Sequence, residues 1–363
     1  MNFQGDKSIN QIWSHPIDLL GMVLAAIGFA SVVFGLIEGQ HYGWWAPKVP
    51  FALGSLAWPL TRLAITPVMF FVGLISLAVF VFYDLWLERR GGEPLFAFSL
   101  LQFRGFRYGL LTALIISLGE FGILFVLPIY LQVARGLSPF RASLVLLPFA
   151  LSMFLVAPMA GMLAARFGAK WVVTAGMLCE AVSLFWLSRL LAIDMPFISV
   201  APVLVLYGIG TGLATAQLTN ITLSDIPHEQ VGAGSGANNT IRQVGLATGV
   251  AILGAVLAAQ IATVGKAELS ASAVVPPQAK PAIAQVLDNG LSGDAPQSAD
   301  MRTTDSPAAR AVQQIVDDSI TEGTRTAATT AALFVVFGAL SSLFIPQPRT
   351  EARQVRWERT MAE

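Results

Sequence analysis

An all-α integral membrane protein with about eight transmembrane helices is the fold class this sequence predicts, and three observations carry it. Of its 363 residues, 55% are hydrophobic and only 12% are charged, with a mean hydropathy of +0.67. That is too little charge to cover the surface of a soluble domain of this size. Eight apolar stretches fill most of the chain, each near the roughly 20 residues a helix needs to cross a bilayer. The stretches are continuous rather than alternating, which predicts helices and not barrel strands.

The first two stretches lie near Asp18–Glu38 and Pro67–Trp86. Between them Val49–Ile65 is interrupted by Pro59 and Arg62, and is expected to be a re-entrant or interfacial segment. The third, Tyr108–Gln132, carries Glu120 at its middle. The fourth, Ser143–Ala165, holds Pro148 and Pro158; with Pro128 of the third, these are expected to kink their helices and free backbone carbonyls. Trp171–Leu190 contains Cys179 and Glu180, and Val200–Leu223 the polar series Thr211, Thr215, Gln217, Thr219 and Asn220. Val244–Thr263 and Thr326–Pro346 complete the set. The intervening Val264–Arg325 is the only sizeable soluble piece, with a composition around Pro276–Pro307 that reads as flexible. Within it Ala308, Val312, Ile315, Val316 and Ile320 recur at helical spacing, which predicts an amphipathic helix over Pro307–Glu322 on the outer surface.

Formal net charge is zero, but the basic residues are unevenly placed. Alternate threading of eight spans puts Lys7, Arg89, Arg90, Arg104, Arg107, Arg166, Lys170, Arg242 and the tail residues Arg349, Arg353, Arg356 and Arg359 on one side. The short loops of the other side hold only Lys48, Arg62, Arg135, Arg141 and Arg189. By the positive-inside rule both termini are expected in the cytoplasm of a multi-pass plasma-membrane protein. The first apolar run begins behind a polar segment and continues too long for a cleavable signal peptide.

Soluble-enzyme chemistry is poorly represented. His15, His41 and His228 are far apart, and with a single cysteine, Cys179, they form no metal-ligand cluster and no disulfide framework. Gly208, Gly210 and Gly212 imitate a dinucleotide loop, but they fall inside an apolar span without a preceding strand, so close helix packing is expected. No catalytic residue, cofactor, metal or nucleic-acid partner is expected, and the chain does not read as an enzyme.

Three segments carry more information. Gly161-Met-Leu-Ala-Ala-Arg166-Phe-Gly168-Ala-Lys170 is a tight basic turn between the fourth and fifth spans. Its small residues allow helices to approach, and its basic groups suit helix C-terminal carbonyls or anionic lipid. The turn resembles the major facilitator signature, with Ala165 where that signature carries aspartate. Gly232-Ala-Gly-Ser-Gly236-Ala-Asn238-Asn239-Thr240-Ile-Arg242-Gln243-Val-Gly245 is similar to the start of the penultimate span in the fourteen-span drug:proton antiporters of that superfamily (EmrB/QacA type). Leu127-Pro128-Ile-Tyr130-Leu131-Gln132 through Ser138 resembles the end of that family's ninth span, and Asp18-Leu-Leu-Gly21 with Gly35 and Gly43-Trp44 resembles its seventh.

The resemblance covers about residues 18 to 346 and corresponds to spans seven to fourteen. It implies residues 1–103 as an N-terminal segment with two linker helices, 104–346 as a C-terminal six-helix half with an outer loop at 264–325, and 347–363 as a cytoplasmic tail. It implies proton-coupled efflux of drugs or other small amphipathic molecules, by a carrier whose first six spans lie on another chain or are replaced by a second copy. The other possibility is a non-transporting membrane subunit or truncated product. The expected structure is one six-helix bundle plus two adjoining spans, with a polar exposed flank.

A charge at mid-bilayer costs roughly 2.5 to 3.5 kcal/mol on insertion scales, so intramembrane charges are functional candidates. By the resemblance Glu120 lines the central cavity, and it is read either as a proton-coupling or cation-recognising group or as a packed, protonated carboxyl. Gly119 and Gly122 leave room beside it for a ligand or a neighbouring backbone. Glu180, on a span that is peripheral in the superfamily, is expected to be a packing residue. Gln217 and Asn220 suit substrate binding or helix-to-helix hydrogen bonds equally. Gly161, Arg166, Gly168, Asn239, Arg242 and Gln243 are candidates for cytoplasmic gating, the last three also fitting a plain helix start. Asp18, Glu38, Asp84 and Glu88 lie near span ends and are expected to reach the interface.

Overall fold

The computed structural model describes residues 18–47, 50–53, 56–58, 63–92, 94–96, 98–289 and 307–346. Pro59, Arg62, Lys7, Lys48, His15 and the tail arginines lie outside the described residues. Eight described helices are long and apolar enough to cross a membrane, as the continuous apolar runs predict. The chain divides into two compact units, residues 1–102 with 226–237, and residues 103–225 with 238–363.

The first unit is built on a helical hairpin, α1 (Leu19–Tyr42) and α2 (Ile65–Arg89). Asp18 starts α1 as its N-cap, its carboxylate accepting the Gly21 N–H at 2.8 Å. Gly73 brings the two helices together: a Cβ there would sit 2.9 Å from the Gly28 carbonyl oxygen. Ser76 Oγ donates to the Leu24 carbonyl at 2.8 Å across the same seam. The segment expected to be re-entrant or interfacial contains an antiparallel pair, β1 (Phe51–Leu53) and β2 (Leu56–Trp58), with Phe51 opposite Trp58. Pairing of the two short strands satisfies backbone groups that an irregular segment would leave open. Asp84 departs from expectation. It is fully buried rather than reaching the interface, and accepts the Phe96 N–H at 2.9 Å. The segment after α2 is tied down again by Asp18, which accepts from Leu95, and by Glu88, which accepts from Ser99.

The second unit is a bundle of α3 (Arg104–Ile129), α4 (Pro139–Phe167), α5 (Ala169–Leu190), α6 (Ala201–Leu223), the greater part of α7 (Val231–Ala271), the short α8 (Lys280–Asn289) and α9 (Pro307–Ser342). Helix α6 packs on α4 and α5, and α9 packs on α3 and α5. Without a hydrophobic drive between helices in lipid, such contacts depend on small residues, and the three glycines of α6 supply them. Gly208 lies against the Phe149 carbonyl of α4, Gly212 against Met153, and Gly210 against Gly176 and Glu180 of α5. The packing reading of these glycines is correct.

Pro128 removes a backbone donor near the end of α3, and the helix passes into a wider π-turn over Tyr130–Ala134. Pro148 and Pro158 remain inside a single 29-residue helix. The described parts of 264–325 are more helical than expected, and residues 290–306 of the stretch expected to be flexible lie outside the described residues. Helix α7 continues to Ala271, α8 follows, and α9 begins at Pro307 and runs unbroken for 36 residues. The Pro307–Glu322 periodicity is therefore the first half of the last spanning helix, not a separate surface helix. Val312, Ile315 and Ile320 are buried in the bundle core, and that burial is what the apolar spacing encodes.

Candidate functional site

Glu120 sits on α3 with only 3% of its surface exposed. Two helices crowd the backbone around it. A Cβ on Gly119 would stand 3.2 Å from the Ala331 carbonyl of α9, and one on Gly122 would stand 2.9 Å from the Gly249 carbonyl of α7. The room left by these glycines is thus taken by neighbouring backbone. Glu120 Oε2 has no hydrogen-bond partner among the described residues. Arg242 of α7 lies within Coulombic range of its carboxylate. Gly245, one turn further along α7, touches α3 at Leu114, which holds the two helices in register.

Glu180 was expected to be a packing residue on a peripheral span. It lies on α5, but it points inward and is fully buried, with neither carboxylate oxygen partnered among the described residues. Its carboxylate interacts electrostatically with that of Glu120, and both act on Tyr207 of α6. The Tyr207 hydroxyl donates to the Glu120 backbone carbonyl at 3.3 Å, and its ring stacks on Phe149 of α4 at 5.0 Å. Ser117, one turn before Glu120, and Thr211, one turn after Tyr207, add two more buried unpartnered hydroxyls. The core of this apolar bundle therefore holds a polar cluster drawn from α3, α5 and α6. Sequence reasoning weighed Glu180 only as a packing residue and passed over Tyr207. The available signal was Gly176, one turn before Glu180 and so on the same helix face.

The remaining candidates are spread out. Gln217 is buried and Asn220 is exposed on α6. Thr219, on the same helix, accepts from Asn238 of α7 at 3.5 Å, which favours helix-to-helix bonding for part of the polar series. Asn239 and Gln243 are exposed and Arg242 is half-buried. Because α7 begins at Val231, these three residues lie two to three turns inside a helix rather than at its start. In the basic turn, Gly168 has φ +87°, which breaks the chain between α4 and α5 and suits glycine. Arg166 is exposed, and nothing lies within 4 Å of a Cβ built on Gly161. Lys170 serves the turn's expected role, donating to the Leu343 carbonyl at 2.6 Å just beyond the end of α9.

At the opposite end of α5 a cationic clamp holds the chain. Arg135 donates to the carbonyls of Ala192 and Met195 at 2.8 and 2.9 Å and stacks over Phe197, while Arg325 donates to Leu191 at 2.7 Å. Beside it an open cleft of about 800 Å³ has Asp194, Glu268, Asp318 and Glu322 on its walls.

Comparison with known proteins agrees with this architecture. The family model described as Major Facilitator Superfamily matches residues 14–250. The chain is 29% identical over 273 residues to the multidrug resistance protein Stp of Mycobacterium tuberculosis, covering 74% of this chain and 46% of that protein. It is 27% identical over 340 residues to the tetracenomycin C resistance and export protein of Streptomyces glaucescens, covering 93% of this chain and 58% of that protein. With the lincomycin resistance protein LmrB of Listeria monocytogenes it shares 28% identity over 247 residues, 68% of this chain and 48% of the relative. The chain spans about half the length of these curated relatives.

Proposed function

Because the chain belongs to the major facilitator superfamily, we propose that it forms part of a proton-coupled exporter of drugs or other small amphipathic molecules. The observation that carries this reading is Glu120, a carboxyl buried in a membrane-spanning helix with Arg242 in Coulombic range. In an apolar medium such a group exchanges its charge for a proton readily. Proton and cationic or polar substrate then compete for one site, and each turn of the cycle exchanges one for the other. The resistance and export names of the relatives support drugs as the substrate class.

In this reading the second unit is the C-terminal six-helix half of a fourteen-span carrier, and α1 and α2 are linker spans. Carriers of this kind rock two halves about a site between them. The other half is supplied by a further polypeptide segment, a separate chain or a second copy, in a plasma membrane with both termini in the cytoplasm. Gln217 and Asn220 contact substrate, and Gly161, Arg166, Gly168, Asn239, Arg242 and Gln243 lie on the cytoplasmic gating face.

The test is drug export from proteoliposomes under an imposed pH gradient, with and without a supplied six-span N-terminal half. Export is expected only when both halves are present, and Glu120→Gln should abolish its dependence on the gradient while leaving insertion intact. Unaltered gradient dependence in Glu120→Gln would remove Glu120 from the coupling step. Absence of export in the complete assembly would favour a non-transporting membrane subunit.

A further inference from the structure

The buried cluster contains a second acid that the proposed coupling role does not use. Glu120 and Glu180 come from different helices, α3 and α5, and both lie beside a third, α6, where the Tyr207 hydroxyl reaches the Glu120 carbonyl at 3.3 Å and Gly210, one turn on, abuts the Glu180 backbone. The approach of α5 to α6 is fixed by backbone: a Cβ on Gly210 would lie 2.7 Å from the Glu180 nitrogen and 2.7 Å from the Gly176 carbonyl. The backbone at Glu180 is therefore held against α6. Three of the four carboxylate oxygens have no hydrogen-bond partner among the described residues. Burying two such groups without partners or protons is among the most expensive arrangements available to a membrane helix bundle.

We propose that Glu120 and Glu180 form a two-carboxyl proton site that holds one proton between them, with Tyr207 as the neighbouring hydroxyl that positions Glu120. This rests on the reading of Glu120 as the coupling carboxyl and extends it. Two carboxylates within Coulombic reach in a low-dielectric site oppose double ionisation, so the pair titrates as a unit. Moving the proton converts the Glu120 acid and Glu180 carboxylate into the Glu120 carboxylate and Glu180 acid. No charge is created and no other reactant is consumed. A substrate that claims the Glu120 carboxylate thus displaces its proton by one transfer step inside the protein rather than into lipid.

The charged and titratable surroundings are few. The charge of Arg242 on α7 acts on Glu120, the Tyr207 hydroxyl of α6 reaches the Glu120 carbonyl at 3.3 Å, and the half-buried Cys179 precedes Glu180 on α5. Helix α9 carries no titratable side chain between Thr326 and Ser342, and α4 carries only Arg141 and Arg166 near its ends.

The experiment is an infrared pH titration of the protonated carboxyl stretch in the full chain, purified and held in lipid nanodiscs. Wild type, Glu120→Gln and Glu180→Gln are compared as difference spectra. The wild type is expected to release the two protons in steps separated by about one pH unit or more, and each variant to show a single step below the upper wild-type step, because the neutral glutamine removes the charge that holds back the second proton. A wild-type titration equal to the sum of the single-carboxyl titrations of the two variants overturns the proposal. So does a single wild-type step that accounts for both carboxyls, a result that needs no variant to fold. If the titrations are non-additive while export ignores Glu120→Gln, the proton site stands and its coupling role fails.

Discussion

Single residues settle where this bundle is tight and where it is open, and they do so through glycine. Gly210 has backbone of α5 on its Cβ side, whereas Gly161 has nothing within 4 Å. Both read as small residues in the sequence, and no single-sequence pattern separates them, because the difference depends on which helix comes alongside. Gly210→Leu should therefore overpack the α5–α6 crossing and cost about 1–3 kcal/mol, while Gly161→Leu leaves stability unchanged. Thermal unfolding of both variants in detergent measures this contrast, and equal melting temperatures would refute the crossing. Arg135 gives a second prediction at this scale. Its guanidinium makes two charged hydrogen bonds to the chain after α5, each of a class worth about 1.5–3 kcal/mol. Arg135→Ala should lower the unfolding midpoint more than Arg135→Lys, which retains charge but not the planar fork.

Elements were legible from the sequence where their apolar runs were long, and less so where polarity interrupted them. All eight spanning helices correspond to continuous hydrophobic stretches, since bilayer thickness sets their length. The error at α9 arose because hydropathy marks where lipid begins, not where a helix does. Residues 307–325 are too polar to span alone, yet their apolar face packs into the same core as the rest of the helix. The direction of the Glu180 side chain was illegible for a related reason: it is set by the register between α5 and α6. The continuity of α9 is testable by hydrogen exchange. The amides of Ser319 to Thr326 should be protected as strongly as those further into the helix, because each lies within an unbroken hydrogen-bond ladder. Fast exchange confined to that stretch would show a hinge between a surface helix and a shorter span.

For the whole molecule the decisive asymmetry is the distribution of charge between the two membrane faces. Arg104 and Arg107 at the start of α3, and Arg166 and Lys170 between α4 and α5, lie toward one end of the bundle, while toward the other the clamp of Arg135 and Arg325 stands beside a cleft where Asp194, Glu268, Asp318 and Glu322 share the walls with Arg310 and Arg325. Anionic lipid and the membrane potential both favour the basic end inside. The outward faces of α4 suit the intervening lipid, with Phe140, Leu144, Leu151, Phe154 and Leu155 exposed along the helix. In the orientation proposed above, the α6–α7 connection, with Ser224 at the end of α6, is the cytoplasmic one and the α7–α8 connection at Ser272 the external one. In a Cys179→Ser background, Ser272→Cys should react with a membrane-impermeant maleimide added to intact cells, and Ser224→Cys should react only after the membrane is opened. Labelling of Ser224→Cys from outside with Ser272→Cys protected would invert the molecule. The Glu120–Glu180 pair would then stand between the same two ends with the sense of its proton path reversed, yet an inward proton gradient would still drive export, because the direction of an exchange is set by the gradients and not by the orientation of the protein.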